Sequence, residues 1–208
     1  MPTVEVLLQG YSTVSNQGSL GFCGVYLVDR RVLFDCGHAG RRRALLAALA
    51  DRDLEPAAIE TVVLSHAHWD HVQNVDLFDR ARVLVHTDEL GYLDTTPRHD
   101  PVMPPWTKQI LAMVDTRPTG EGDEVAPGVR VIDLPGHSPG SIGLTVPTEH
   151  GLSVLTGDAV PSAKALRAGR LTNVFFDAAA ADASLARVRH LAEVVYPGHD
   201  FPFRPGTR

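Results

Sequence analysis

The strongest constraint on this chain is a short run of metal-ligand side chains at residues 66–71. The run contains His66, His68, Asp70 and His71. It directly follows residues 61–64, a β-branched stretch that predicts a strand. Imidazole nitrogens and carboxylate oxygens are ligands that zinc and other first-row divalent ions accept. A lone histidine is usually an ordinary core or surface residue, but this density of ligand-type side chains favours a metal site.

The spacing within the run divides these side chains between two ions. His66 and His68 are two residues apart on an extended turn, so they reach one ion from the same side. Asp70 and His71 fall at the start of a predicted helix and reach a second ion. Two ions about 3.5–4 Å apart hold a hydroxide between them and polarise a substrate oxygen. The run therefore predicts a dinuclear centre.

Three later strands end in the same way. The predicted strands at 129–134, 152–156 and 194–196 lead within about three residues into His137, Asp158 and His199, respectively. Loops at strand ends are places where a rigid sheet presents side chains that converge on one point. We expect His137 to complete the first ion's ligands, His199 to complete the second's, and Asp158 to lie between the two ions.

The rest of the chain alternates between strand and helix patterns. Strands are predicted at 4–9, 25–28 and 32–34, and amphipathic helices at 41–52 and 182–191. Residues 10–22 predict a mobile loop, and the proline-rich residues 86–106 predict a structureless lid over the site. Because no linker or repeat divides the sequence, we expect residues 1–208 to form a single domain of two similar halves that meet near residue 125.

Composition and charge exclude several classes of protein. The hydrophobic fraction of 44% and the charged fraction of 21% are ordinary for a globular chain. No apolar run reaches the roughly 18 residues of a membrane span, and residues 1–9 predict a first strand instead of a signal peptide, so we expect a cytoplasmic protein without a membrane partner. The net charge of −6 argues against nucleic acid as an obligate partner. Cys23 and Cys36 are too few for a disulfide framework and are expected to be buried, although one bridge stays open.

These residues resemble the metallo-β-lactamase-fold hydrolase superfamily. Its H-x-H-x-D-H signature stands at 66–71, and its later ligands match His137 in Pro-Gly-His-Ser-Pro-Gly, Asp158 in Thr-Gly-Asp-Ala and His199 in Tyr-Pro-Gly-His. The resemblance covers nearly the whole chain. It implies an α/β (α+β) fold, a four-layer αββα sandwich with the metals at one edge between the sheets. It also implies that Asp35 supports the metal ligands by hydrogen bonding.

Finer matches narrow the resemblance within the superfamily. Residues 6–11 and 197–203 look like the corresponding ends of the group called metallo-β-lactamase domain-containing protein 1. Asp158 stands where two-zinc β-lactamases of the family carry Cys or lack the acid, which disfavours antibiotic hydrolysis. His68 stands where flavodiiron proteins carry Glu, which disfavours oxygen reduction. The acyl-homoserine lactonases of the family carry a Tyr a few residues after this Asp, and residues 159–162 have none.

We therefore expect a dinuclear metal-dependent hydrolase of a small molecule that carries an ester, thioester or lactone bond. Zinc is the expected metal, with iron and manganese left open. The hydroxide bridging the ions is the expected nucleophile, because metal coordination lowers the pKa of water to about 7. Asp70 is the candidate catalytic residue, passing a proton to the leaving group. Tyr11, Phe22, Met103 and Trp106 are expected to line the substrate cleft, with ordinary packing as the alternative.

Two alternatives remain open at this point. The same metal centre suits a phosphodiesterase or nuclease, since two ions also serve an in-line displacement at phosphorus. That reaction needs a basic track, and its best candidates are Lys164, Arg167 and Arg170. The second alternative is a catalytically silent metal-binding scaffold or sensor.

Overall fold

A computed structural model describes residues 1–95 and 100–206 of the chain. Its strands are β1 (Val4–Leu8), β2 (Tyr11–Ser15), β3 (Gly18–Phe22), β4 (Val25–Val28), β5 (Val32–Phe34), β6 (Thr61–Val63), β7 (Arg82–His86), β8 (Asp115–Thr119), β9 (Glu124–Ala126), β10 (Val129–Asp133), β11 (Ile142–Thr148), β12 (Gly151–Gly157) and β13 (Val194–Pro197). Its helices are α1 (Arg42–Ala50), α2 (Trp69–Val72), α3 (Thr87–Thr95), α4 (Thr107–Leu111), α5 (Ala163–Ala168) and α6 (Ala178–Leu191). None of these helices combines the length and the apolar composition that crossing a bilayer requires.

The strands form two main sheets. In the first sheet the order is β1-β4-β5-β6-β7-β8, and the strands from β5 to β8 run parallel. In the second sheet the order is β13-β12-β11-β10-β9, with a parallel pair only at β12 and β13. The chain passes from the first sheet to the second between residues 119 and 124. Parallel strands end at the same edge of a sheet, which places the loops after β6, β12 and β13 where they can meet.

Apolar side chains cover both faces of each sheet. Phe34 of the first sheet and Leu144 of the second belong to the fully buried cluster that lies between the sheets. Leu45 of α1 packs on the outer face of the first sheet, and Leu185 of α6 packs on the outer face of the second. Full burial of each such side chain stabilises the fold by about 1.5–3 kcal/mol. The layers are helix, sheet, sheet and helix, which confirms the predicted αββα sandwich.

Residues 10–22 form a hairpin, so the predicted mobile loop is wrong. Strands β2 and β3 pair antiparallel in register from Tyr11 opposite Phe22 to Ser15 opposite Gly18, as a separate two-stranded sheet. Every side chain of β2 is exposed. The segment therefore lacks the one-sided apolar alternation by which a strand is recognised in sequence.

A row of rings attaches this hairpin to the body of the protein. Tyr11 stacks on Phe22 with ring centroids 4.7 Å apart, and Phe22 lies 4.7 Å from the His38 ring. The His38 ring lies in turn 5.2 Å from Trp69, the first residue of α2. Aromatic pairs at these separations contribute about 0.5–1.5 kcal/mol each beyond their buried area. The hairpin is thus held against the loop that carries the metal-ligand run.

Nearly half of the predicted lid at 86–106 lies in regular secondary structure. Strand β7 ends at His86, and Thr87–Thr95 form helix α3. This helix buries a carboxylate, Glu89, and a ring, Tyr92, so its sequence lacks the aliphatic periodicity expected of a packed helix. Residues 96–99 of the predicted lid lie outside the described part of the chain. The prediction of a structureless segment is therefore wrong for the helical part.

Candidate metal centre

Seven side chains from four strand-end loops come together at one edge of the two sheets. Four of them follow β6, and one each follows β10, β12 and β13. They are His66, His68, Asp70, His71, His137, Asp158 and His199. The least enclosed of these side chains, that of Asp158, exposes only 13% of its surface. The structure thus brings together all the residues that the sequence predicts as ligands.

The first group consists of His66, His68 and His137, whose ligand nitrogens lie within 4.8 Å of one another. Nδ1 of His68 is 3.0 Å from Nε2 of His137. Burial lowers the pKa of His137 to about 4. Burial, with the neighbouring His71 and His68, holds the pKa of His66 well below its ordinary value. Both rings are therefore neutral near pH 7, the state in which an imidazole nitrogen binds a metal.

The second group consists of Asp70, His71 and His199, which meet the same 4.8 Å limit. Asp158 lies between the two groups. Its Oδ1 is 3.5 Å from Nε2 of His71 and 2.9 Å from Nε2 of His199. Its Oδ2 is 3.5 Å from Nε2 of His137 in the first group. One carboxylate therefore faces both groups, one oxygen to each.

The second group is electrostatically different from the first. Burial alone would lower the pKa of His71, but Asp35 and the other carboxylates beside it outweigh burial and raise the pKa to well above its ordinary value. Burial likewise opposes protonation of His199, and Asp158 outweighs it, so the pKa of His199 is raised. The same contacts hold the pKa of Asp158 well below its usual range despite burial. In the metal-free protein, this group therefore retains protons that a metal ion must displace.

We expect zinc binding to release protons from the second group near pH 7. The raised pKa values keep His71 and His199 protonated below those values, and coordination requires their lone pairs. The apparent zinc affinity should rise with pH by up to about tenfold per unit for each proton released, and level off above the raised pKa values. Calorimetric titrations of the metal-free protein in buffers of different ionisation enthalpy count these protons. A pH-independent affinity between pH 6 and 8 would contradict this.

Buried atoms in the centre test whether a metal fits. Nε2 of His66, Oδ2 of Asp70 and Nε2 of His71 have no hydrogen-bond partner among the described residues. A buried polar atom without a partner costs about 1–3 kcal/mol, so such atoms are normally paired. Imidazole nitrogens and carboxylate oxygens are ligands for zinc, and they also accept iron and manganese. The residues present fit a pair of divalent ions.

Asp35 holds part of this loop in place. Its Oδ1 accepts a hydrogen bond from the Ser65 backbone N–H at 2.8 Å, and its Oδ2 accepts one from the Ser65 hydroxyl at 2.9 Å. Nδ1 of His71 donates to the same Oδ2 at 2.8 Å. This contact fixes the proton on Nδ1 and leaves Nε2 of His71 free toward the centre.

Asp100 supports the first group in a way that the sequence analysis missed. Its Oδ2 accepts hydrogen bonds from Nε2 of His68 at 3.1 Å and from the hydroxyl of Tyr92 at 3.0 Å. All three side chains are buried. The contact holds the His68 ring with Nδ1 toward His137, as in the carboxylate–histidine pairs behind metal ligands. Asp100 and His68 are 32 residues apart, and no spacing rule connects them.

We expect Asp100→Asn to weaken zinc binding by about 10–100-fold, because the His68 ring loses the carboxylate that orients it. Competition with a chromophoric chelator measures the affinity without reference to turnover. Tyr92→Phe should weaken binding less, since Asp100 retains its contact with His68. Asp94→Asn is the control, because Asp94 lies on α3, the helix that carries Tyr92, and is exposed in an ion pair with Lys108. Equal zinc affinities for Asp100→Asn and the control would contradict the proposed role of Asp100 in orienting His68.

Glu89 is a second supporting residue that the sequence analysis missed. Its Oε1 accepts a hydrogen bond from the Ala67 backbone N–H at 2.9 Å. Its Oε2 accepts from the Ser138 hydroxyl at 2.7 Å and from the Gly140 backbone N–H at 3.1 Å. A Cβ at Gly140 would lie 2.3 Å from the backbone nitrogen of Glu89, so only glycine permits this approach. The fully buried Glu89 thus joins the ligand loop of the first sheet to that of the second.

A cavity of about 530 Å³ opens onto the centre. Its walls come from the β2–β3 hairpin, from Trp69 and from the segment 161–175. At the hairpin, a Cβ added to Gly21 would lie 2.9 Å from Cε1 of His199 and 3.3 Å from Oδ2 of Asp70. The hairpin backbone therefore covers the second group directly, and glycine is what allows it to do so.

The four residues predicted to line the cleft lie elsewhere. Tyr11 and Phe22 are engaged with each other in the ring stack. Met103 is buried in a small cluster with Tyr92, and Trp106 is 43% exposed ahead of α4. Among the described residues, the cavity lining includes none of these four. The segment 161–175 provides much of the apolar wall instead, because the chain after β12 passes beside the centre.

The class of protein that the fold and this centre define is a metal-dependent hydrolase. Residues 18–199 match the family model described as the metallo-beta-lactamase superfamily. The chain belongs to this superfamily, which confirms the resemblance drawn from its motifs.

Individual relatives agree with this membership. The chain is 32% identical to metallo-beta-lactamase domain-containing protein 1 from Xenopus laevis, over 97% of this chain and 81% of that protein. It is 33% identical to N-acyl homoserine lactonase AiiB from Rhizobium rhizogenes, over 73% of this chain and 60% of the lactonase, less than two thirds of that relative. A solved structure of a B. thuringiensis AiiA variant with N-decanoyl-L-homoserine bound at its active site has a TM-score of 0.77 at 21% identity and covers 95% of this chain and 92% of that one.

Proposed function

We propose that this chain is a dinuclear, zinc-dependent hydrolase that cleaves an ester, thioester or lactone bond in a small molecule. The observation that carries the proposal is the position of Asp158, whose two oxygens face two separate groups of ligand atoms at the floor of a cavity. Two divalent ions bound there supply an activated water of pKa about 7 and polarise an acyl oxygen. Iron or manganese in place of zinc would supply the same chemistry.

The chain's own residues divide the work. The proposed holders of the first ion are His66, His68 and His137, those of the second are Asp70, His71 and His199, and Asp158 serves both. Asp70 is also the proposed catalytic residue. Its side chain lines the cavity, so a carboxylate oxygen that does not bind the ion would be placed to take up a proton and pass it to the leaving group.

The cavity walls support an acyl substrate. Leu20, Trp69, Leu171 and Phe175 offer apolar surface beside the centre, as in small-molecule pockets that orient a substrate with a few polar groups. The Gly21 backbone excludes water from one side of the second group. The names of the N-acyl homoserine lactonase relatives describe enzymes that act on acylated lactones. An apolar wall that binds an acyl chain agrees with such a substrate.

A matched substrate panel tests the proposal. The protein, stripped of metal and reloaded with zinc, is assayed on hexanoyl-N-acetylcysteamine, 4-nitrophenyl hexanoate, N-hexanoyl homoserine lactone and bis(4-nitrophenyl) phosphate. We expect kcat/KM on at least one acyl substrate to exceed that on the phosphodiester by more than about 100-fold, and two zinc ions per chain by elemental analysis. The reverse preference would establish the phosphodiesterase instead. Tight zinc binding without turnover of any substrate would indicate a silent scaffold.

We also propose that the chain acts in the cytoplasm and as one domain. Both thiols are free and buried, a pattern typical of reducing compartments. Sγ of Cys23 donates to the carbonyl of Asp70 and Sγ of Cys36 to that of His71, each at 3.0 Å, so both serve the fold of the ligand loop. The buried cluster shared by the two sheets supports a single folding unit.

A further inference from the structure

Two cations in the cavity wall have no counter-ion among the described residues. The exposed residues Lys164 and Arg170 both line the cavity. Neither side chain forms an ion pair or a hydrogen bond with any of the described residues. The positive charges at the cavity are therefore available to a bound molecule.

The backbone that carries these two cations is fixed by helix α5 and by the glycine that ends it. At its start, the Ser162 hydroxyl accepts a hydrogen bond from the Ala165 backbone N–H at 3.2 Å. At its end, Gly169 adopts a left-handed conformation with φ of 65° and donates its N–H to the carbonyl of Ala165 at 3.0 Å. Lys164 lies in the first turn, and Arg170 follows the terminating glycine. The backbone that carries both cations is thus defined at each end.

The start of α5 is also tied to the loop that carries a ligand. The backbone N–H of His199 donates to the carbonyl of Pro161 at 2.8 Å. Asp200 Oδ2 accepts a hydrogen bond from the Ala163 backbone N–H at 3.1 Å. The start of α5, which carries Lys164, is therefore fixed relative to the candidate metal centre.

Apolar residues near the two cations in sequence also line the cavity. They are Ala165, Ala168 and Leu171. The only carboxylates among the described lining residues are Asp70 and Asp158, and both face the ligand groups of the centre. Divalent ions at the centre would outweigh those two negative charges. The cavity thus combines apolar surface with a positive potential, which favours a molecule that is partly apolar and negatively charged.

We propose that the substrate carries an anionic group, a carboxylate or a phosphate, away from the bond that is cleaved, and that Lys164 and Arg170 bind it. This inference rests on the proposed acyl hydrolysis and specifies its substrate class. Hydrogen bonds between charged groups are about twice as strong as neutral ones. Two of them in a partly enclosed site should favour the anionic substrate by about 10–100-fold in kcat/KM.

Two matched pairs of substrates locate the anion. Mono(4-nitrophenyl) glutarate and 4-nitrophenyl butyrate differ by a carboxylate at the end of the acyl chain. Butyryl-coenzyme A and butyryl-N-acetylcysteamine differ by the phosphate-bearing nucleotide on the thiol side. Within each pair, the readout is the ratio of kcat/KM for the anionic substrate to that for the neutral one. The variants are the double substitution Lys164→Ala with Arg170→Ala, and Arg167→Ala as control, since Arg167 lies on α5 but is not among the residues that line the cavity.

We expect the wild-type ratio to exceed tenfold in at least one pair, and to fall by at least tenfold in the double variant. Arg167→Ala should change it by less than twofold. The wild-type ratio should also shrink in 0.5 M NaCl, because salt screens exposed charges. Unchanged ratios in the double variant, or an equal fall in Arg167→Ala, overturn the inference.

Failure of the acyl hydrolase proposal gives a different result. In that case the zinc-loaded wild-type protein turns over none of the four substrates. Calorimetric titration with glutarate then still measures anion binding at the cavity. At least tenfold weaker binding by the double variant supports the role of Lys164 and Arg170, and equal binding overturns it.

Discussion

His68→Ala and Asp158→Ala should each lose bound metal and hydrolase activity together. His68 supplies a nitrogen 3.0 Å from that of His137, so its removal leaves the first group with two ligands. Asp158 faces both groups, so its removal weakens both. The contribution of metal ions to such reactions is several kcal/mol, which corresponds to a loss of roughly a thousandfold in kcat/KM.

Metal content and turnover are measured on the same zinc-loaded preparations, by elemental analysis and on the acyl substrate that the wild-type protein prefers. We expect Asp158→Ala to lose more zinc per chain than His68→Ala, because the two oxygens of Asp158 face both groups. His150→Ala is the matched control, since His150 is an exposed histidine outside the centre. Circular dichroism verifies that each variant is folded. A His68→Ala or Asp158→Ala variant that retains both metal and turnover would refute the assignment of these ligands.

Glu89→Ala should cause the largest loss of stability of any substitution discussed for this chain. Two buried donors lose their acceptor, namely the backbone N–H groups of Ala67 and Gly140, and the Ser138 hydroxyl keeps only its contact with Ser141 Oγ at 2.9 Å. Each unsatisfied buried donor costs about 1–3 kcal/mol, so we expect the free energy of unfolding to fall by about 3–5 kcal/mol. Zinc affinity should fall as well, because Glu89 joins the ligand loops of the two sheets.

Urea unfolding of the metal-free and zinc-loaded proteins separates these two effects. The metal-free protein reports the lost hydrogen bonds, and the additional stabilisation by zinc reports the affinity. Glu89→Gln should fall between wild type and Ala, since its amide retains an acceptor oxygen. Asp88→Ala is the control, because Asp88 precedes Glu89 on α3 and its own side chain is 68% exposed. If Glu89→Ala unfolds at the same urea concentration as this control, the carboxylate has no supporting role.

The meeting of the seven candidate ligand side chains could be predicted from the sequence because its signals are local. Each ligand follows a short apolar strand within a few residues, and parallel strands necessarily end at a common edge. The αββα layers follow from the same alternation of strands and amphipathic helices. The packing of Leu45 and Leu185 on opposite outer faces is what such helix patterns predict.

The parts that escaped prediction depend on contacts between distant residues. Glu89 meets Ser138 across 49 positions, and Asp100 meets His68 across 32. A buried carboxylate on a helix looks like a surface residue in sequence, so α3 was mistaken for part of a lid. The hairpin at 10–22 exposes the side chains of β2 and therefore has no hydrophobic alternation to reveal it. The prediction that Tyr11 and Phe22 line the cleft is wrong because their rings stack on each other and do not face the cavity.

The division of the ligands between the two sheets has a consequence for heat resistance. Ions held at this edge would link the two sheets of the sandwich, because each sheet supplies part of the candidate ligands. Ligands that bind only the folded state raise its stability in proportion to the logarithm of their concentration. The melting temperature of this protein should therefore rise with the free zinc concentration around it.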